Sequence, residues 1–102
     1  FFNAPAVIYL CMDKILTTWS VFDLGALAQS IMLAATERGL ATIPAVTLVH
    51  YPEILRNKLN IPDNFAIVFG IAIGYEDKQH PINKFKSVRR PVSDVATIKG
   101  IE

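Results

Sequence analysis

Charge is scarce in this sequence. Only 19% of its 102 residues are Asp, Glu, Lys or Arg, while 52% are hydrophobic; an average soluble chain carries about 25% charged residues. The net charge is +1, so no overall field favours nucleic acid or a membrane surface. The single cysteine, Cys11, rules out a disulfide within the chain, which fits a reducing, cytoplasmic setting. His50 and His80 stand apart, and neither has a second ligand at metal spacing, so no metal site is expected. The phosphate-cradling G-x-G-x-x-G and P-loop patterns, C-x-x-C and H-E-x-x-H are all missing. Ser20 and Ser30 have no nearby His and Asp to complete a triad. No side chain presents itself as a catalytic acid, base or nucleophile. Residues 21–35 are the most apolar stretch, but Asp23, Gln29 and Ser30 interrupt it. It is too short and too polar to span a membrane, which needs about 20 apolar residues.

What remains is apolar surface in excess of what a small monomer hides, so a partner surface is expected, either a second copy or a further segment. The opening "FFNAPAVIYL" has neither a methionine nor a basic lead, making it a poor signal peptide and suggesting the interior of a larger protein. "PAVIYLCM" (5–12) is a continuous apolar run suited to a strand covered on both faces, with Pro5 at its start. "SVFDLGALAQSIMLAATERGL" (20–40) predicts a helix that is apolar nearly all round. Ser20 is its expected N-cap, Asp23 lies in its first turn, Gln29 makes a buried hydrogen bond, and Gly39 ends it. Its small residues Gly25, Ala28 and Ala35 leave room for another backbone or a planar ligand.

"ATIPAVTLVHYP" (41–52) has two prolines and no helical period, and reads as a loop or short extended segment. "PEILRNKLN" (52–60) predicts a short helix with Pro52 at its first position and Ile54, Leu55 and Leu59 as its buried stripe. "IPDN" (61–64) is a turn, and "FAIVFGIAIGY" (65–75) a second apolar strand. Gly70 within it marks a bulge or a close neighbour. Residues 92–102 form a tail of no evident secondary structure. Two strands make a marginal sheet alone, so part of the sheet is expected from elsewhere.

Two features point to chemistry. "INKFKSVRRPVSD" (82–94) gathers Lys84, Lys86, Arg89 and Arg90 within seven residues. Arginine suits bidentate phosphate contact and lysine acts as a point charge; on composition alone, the arm reads first as a solvated tail that keeps an apolar chain in solution. Phe85 is its only aromatic, so single-stranded nucleic acid is a poor fit. "TIPAVT" (42–47) is an apolar loop whose backbone N–H groups can meet the edge of a flat ligand.

In order and spacing, these pieces resemble the C-terminal half of the nitroreductase family of flavin enzymes. "NAPAVIYLCMD" is similar to the family's strand with its F-x-x-A-P lead-in. "DLGALAQSIMLAATERGLAT" resembles its D-x-G-x-x-x-Q-N-x-x-L-A-A-x-x-x-G-L-G-T helix, with Ser30 for the usual Asn and Ala41 for the usual Gly. "YPEILRNKLNIPDNFAIVFGIAIGY" resembles the short helix, the L-x-I-P turn and the G-x-x-x-G-Y/H strand. "INKFKSVRRPVSDV" is similar to the closing K/R-x-x-R-x-P-L-x-E-x-V signature.

The resemblance implies an α+β fold in which apolar strands pack against a long, buried dimer-core helix. Residues 1–102 would be the C-terminal part of one such domain. It implies an FMN-dependent oxidoreductase, a homodimer joined through helix 20–40, with NADH or NADPH as co-substrate. Hydride would pass through flavin N5 to a nitroaromatic, quinone or activated alkene. Pro44 and Ala45 would pack the flavin ring, N–H groups near Val46 and Thr47 would face N5, and Arg89, with Lys86 and Ser87, would hold the FMN phosphate. The family's N-terminal basic cluster has no counterpart here, so the chain would carry about half of a flavin site. The alternatives are a non-catalytic dimerising fragment, a flavin-fragmenting or dehalogenating relative, or an arm that binds some other polyanion.

Overall fold

The computed structural model describes residues 1–100. Its elements are β1 (Ala6–Asp13), α1 (Thr18–Glu37), β2 (Ala41–Ala45), α2 (Pro52–Leu59) and β3 (Phe65–Gly74), with 3-10 turns at Val46–Val49, Pro81–Lys84 and Val92–Asp94. The fold is α+β, with three antiparallel strands in the order β1-β3-β2.

β3 is the central strand. Ile8 pairs with Ile71 and Leu10 with Phe69, on the face that receives α1. Leu10, Leu24, Ala28 and Ile71 form the buried centre, and Ile8, Met12, Ile31, Met32, Val68 and Phe69 close around it. The register slips between Leu10 and Cys11, where Leu10 faces Phe69 but Cys11 faces Ile67. The extra residue is Val68, so β3 carries its bulge two residues before Gly70. Gly70 instead marks the expected close neighbour. A Cβ built there would lie 2.8 Å from Leu48 Cβ and 3.4 Å from Tyr9 Cε1.

The stretch expected to be a loop or short extended segment supplies the third strand and a turn. β2 pairs along β3 from Ala41 opposite Gly74 to Ala45 opposite Gly70. Pro44 is compatible with this because β2 is an edge strand, where a missing N–H need not cost a ladder bond.

α1 begins earlier than the sequence suggests. Thr17 takes the N-cap position without a side-chain cap, and the N–H of Ser20 donates to the Thr17 carbonyl at 3.0 Å. Ser20 is therefore inside the helix, and Asp23 lies beyond the first turn. At the other end Gly39 does what was expected. It adopts φ +73°, its N–H reaches the Thr36 carbonyl, and that of Leu40 reaches the Ala35 carbonyl. This pair of bonds is the Schellman arrangement.

α1 buries one stripe, namely Leu24, Ala28 and Ala35. Trp19, Phe22, Ala26, Gln29 and Leu33 recur at helical spacing on the opposite side and are exposed, as is Gly25. The expected burial of the helix is thus met on one face only within this chain, and Gln29, expected to make a buried hydrogen bond, is exposed instead. The Cα radius of gyration is 17.2 Å, against about 13 Å for a compact domain of 100 residues. The chain is extended for its length, and much of its apolar surface is open.

Candidate functional site

The loop 44–47 runs from the end of β2 into the turn that precedes α2. Ala45 is the register partner of Gly70. Three residues later Leu48 folds back over that same glycine and is only 5% exposed. Val46 and Thr47 form the crest between these two contacts. Val46 is 72% exposed and Thr47 is also exposed, as is Pro44, while Ala45 is half-buried. The loop therefore presents an open surface on a fixed base. Beside it lies an open hollow of about 570 Å³, lined by Phe1, Phe2, Thr47, Leu48, Tyr51, Ile54 and Leu55.

α2 and the start of β3 are joined by a residue that the sequence reading passed over. Arg56 is half-buried, its side chain 14% exposed. Its Nη1 donates to the carbonyls of Pro62 at 2.6 Å and Ile61 at 3.3 Å, and its Nη2 to that of Phe65 at 3.0 Å. Asp63 Oδ1 stands 3.7 Å from its Nε. Of the predicted apolar stripe only Leu55 is half-buried, while Ile54 and Leu59 are exposed. The inner face of α2 is thus Leu55 with Arg56. The signal was available: an arginine just before an Asn and an I-P-D-N turn, whose carbonyls have no strand to pair with.

Two other polar features shape this end of the sheet. Asp13 accepts from the Ile15 N–H and from Asn64 Nδ2, both at 3.0 Å. The backbone bond first, and then the amide bond, hold its carboxyl below the usual value. Burial pushes the Cys11 thiol up, partly offset by the Arg56 charge; a raised thiol is a poor nucleophile. Among the described residues no group of three His, Cys, Asp or Glu side chains is placed to hold a metal ion.

The basic arm is stabilised locally. His80 Nδ1 accepts from the Ile82 N–H, Asn83 Nδ2 donates to the Asp77 carbonyl, and a turn closes from Val95 N–H to the Val92 carbonyl. Arg89 Nη1 donates to Ser87 Oγ, which joins two of the three expected phosphate-side residues. Lys86 is exposed beside them. Among the described residues Lys84, Lys86, Arg89 and Arg90 form no ion pair. Four uncompensated cations with a hydroxyl among them suit an anion such as a phosphate. The hydrogen bonds of the arm run within it or to the preceding loop 76–81, and none reaches the crest 44–47, so the two stand as separate clusters. The donor set fits the phosphate end of FMN, and the exposed crest fits one edge of a flat ring.

Comparison with known proteins identifies the relatives of the chain. The sequence model of the Nitroreductase family matches residues 1–75. Over 92 residues the chain is 37% identical to a 4-nitrobenzoate reductase of Nocardioides sp. (strain LMS-CY), covering 90% of this chain and 37% of that protein. Over 97 residues it is 34% identical to a nitrobenzene nitroreductase of Ectopseudomonas oleovorans, covering 95% of this chain and 43% of that one. Among solved structures, the FMN-dependent nitroreductase NfnB from Mycobacterium smegmatis in complex with NADPH superposes with a TM-score of 0.92 at 28% identity. That match covers 97% of this chain and 44% of the other. The chain thus spans less than half the length of these relatives. With the family pattern matched over most of its length and the fold superposing almost throughout, the chain belongs to the nitroreductase family.

Proposed function

We propose that this chain is the C-terminal part of an FMN-dependent NAD(P)H oxidoreductase and carries two portions of its flavin site. The observation that supports this best is the superposition, over 97% of the chain, on a nitroreductase described as FMN-dependent and in complex with NADPH. Flavin, when bound, would supply the redox chemistry between a nicotinamide and a small-molecule acceptor such as a nitroaromatic. The chain's own residues bind and orient. Pro44 and Ala45 pack one edge of the ring, and the backbone N–H groups of Val46 and Thr47 donate toward N5. Arg89, Lys86 and Ser87 neutralise and hydrogen-bond the phosphate. Because the two clusters are separate within one chain, a second copy in a homodimer, or a further segment, completes the site between them.

Titration of the purified chain with FMN, followed by quenching of flavin fluorescence, tests this reading. Saturable binding is expected, and Arg89→Ala weakens it by about tenfold or more, the usual loss for a charged hydrogen bond. Added salt weakens it further, because exposed phosphate contacts are screened. Binding that ignores both Arg89→Ala and salt would remove the phosphate assignment.

A second reading, that of a non-catalytic dimerising fragment, draws on the open stripe of α1. Trp19 is 82% exposed and Phe22 77%. It predicts association with no flavin binding at all.

A further inference from the structure

Gly70 lies beneath the crest of the candidate flavin loop. It pairs with Ala45 on one side and with Tyr9 on the other. Leu48 covers it, with Leu48 Cβ at 2.8 Å and Cδ1 at 3.1 Å from where a Cβ would stand. The chain therefore leaves the sheet at Ala45, arches over through Val46 and Thr47, and returns at Leu48 onto the residue that Ala45 pairs with. Of residues 46–49 only Leu48 is fully buried, so it is the anchor of the arch.

We infer that Gly70 and Leu48 form a positioning contact that sets the height and direction of the Val46 and Thr47 backbone N–H groups. A glycine is needed at 70 for space rather than for φ, since its backbone is ordinary β. Any side chain there pushes Leu48 outward and lifts the crest with it. A strand interior tolerates little relief, because close-packed groups shift only partly when an atom is added. The inference rests on the flavin reading for its consequence but not for its geometry, and the two are tested apart.

Gly74 offers a matched control on the same strand. A Cβ there would lie 2.7 Å from Pro5 Cδ, an equally tight insertion that faces the lead into β1 rather than the arch. The test compares Gly70→Ala, Gly74→Ala and Leu48→Ala in the full chain, by amide hydrogen exchange and by FMN titration. Gly70→Ala and Leu48→Ala are expected to speed exchange or shift the amide signals at Val46 and Thr47, and to weaken FMN by about tenfold. Gly74→Ala is expected to perturb residues near Pro5 and to leave those two amides unchanged. Leu48→Ala inserts no atom and carries the test if Gly70→Ala fails to fold.

The inference is overturned if the Val46 and Thr47 amides respond equally to all three substitutions, or to none. If the amides respond as expected but the unaltered chain binds no FMN, the contact stands and the flavin reading of this chain falls.

Discussion

Arg56 shows how much one side chain decides in a molecule with few charges. Its guanidinium gathers three backbone carbonyls and one carboxylate, and so closes the α2–β3 turn. Arg56→Ala leaves the Phe65 and Pro62 carbonyls without these donors, and the expected loss is about 2–3 kcal/mol in urea unfolding. Arg56→Lys is expected to recover only part of it, because one ammonium cannot reproduce a planar fork. Equal stability of Arg56→Ala and the parent chain would show that the turn holds itself. The sequence reading missed this residue because it looked for apolar periodicity, and Ile54 and Leu59 satisfy that pattern while remaining exposed. Asp13 gives a pH signature at the same scale. Its folded carboxyl is held below the ordinary aspartate value by the Ile15 N–H and then by Asn64. A lowered carboxyl contributes stability that is present above the unfolded pKa and lost as pH falls through the folded one. Stability is therefore expected to fall as pH drops below about 4, and Asp13→Asn to flatten that part of the profile. An NMR titration that puts the Asp13 carboxyl at or above its ordinary value would contradict this.

At the scale of elements, legibility followed the kind of signal each segment carries. β1, β3, α1 and α2 were readable from apolar runs, period and Pro52, and Gly39 correctly marked the end of α1. β2 was not, because Pro44 weakens any strand assignment and an edge strand of five residues shows too little alternation to count. The start of α1 was misplaced for a different reason. Ser20 is the better capping residue by type, but the helix extends back to Thr18 and begins at Thr17 without a side-chain cap. The residues proposed for the site fall in the sequence into two clusters, the crest 44–47 and the arm 86–89. Their support was not legible, since the Leu48–Gly70 contact joins segments far apart in the chain. The Gly39 turn yields a prediction at this level. A Cβ at Gly39 meets nothing within 4 Å, so Gly39→Ala carries only the backbone penalty of a left-handed residue, about 1 kcal/mol. The midpoint of thermal unfolding is expected to drop by roughly 4–8 °C. No drop would mean that the Schellman turn is not required to end α1.

For the molecule as a whole, the decisive quantity is exposed apolar surface. α1 offers Trp19, Phe22, Ala26 and Leu33 along one stripe with no charged residue among them, while its other stripe is already spent on the sheet. A second copy meeting the first across this stripe is the association expected of helix 20–40, and a two-fold interface counts each residue twice. Burying a large apolar side chain contributes about 1.5–3 kcal/mol, so losing Trp19 from both copies removes about 3–6 kcal/mol. That corresponds to a dimer dissociation constant raised at least about a hundredfold. Light scattering is therefore expected to give the parent chain twice the mass of one chain, and to give Trp19→Glu the mass of one at the same concentration. Lys78→Glu, at an exposed position in the loop after β3, is the charge-changing control and is expected to remain a dimer. If Trp19→Glu stays dimeric, the copies meet elsewhere; the apolar hollow beside Thr47, with Phe1, Phe2 and Tyr51 on its wall, is then the surface to substitute next. That hollow meets the crest only at Thr47, so a dimer built there would bring the second copy beside the candidate ring edge, and FMN titration of that dimer tells whether the edge stays open.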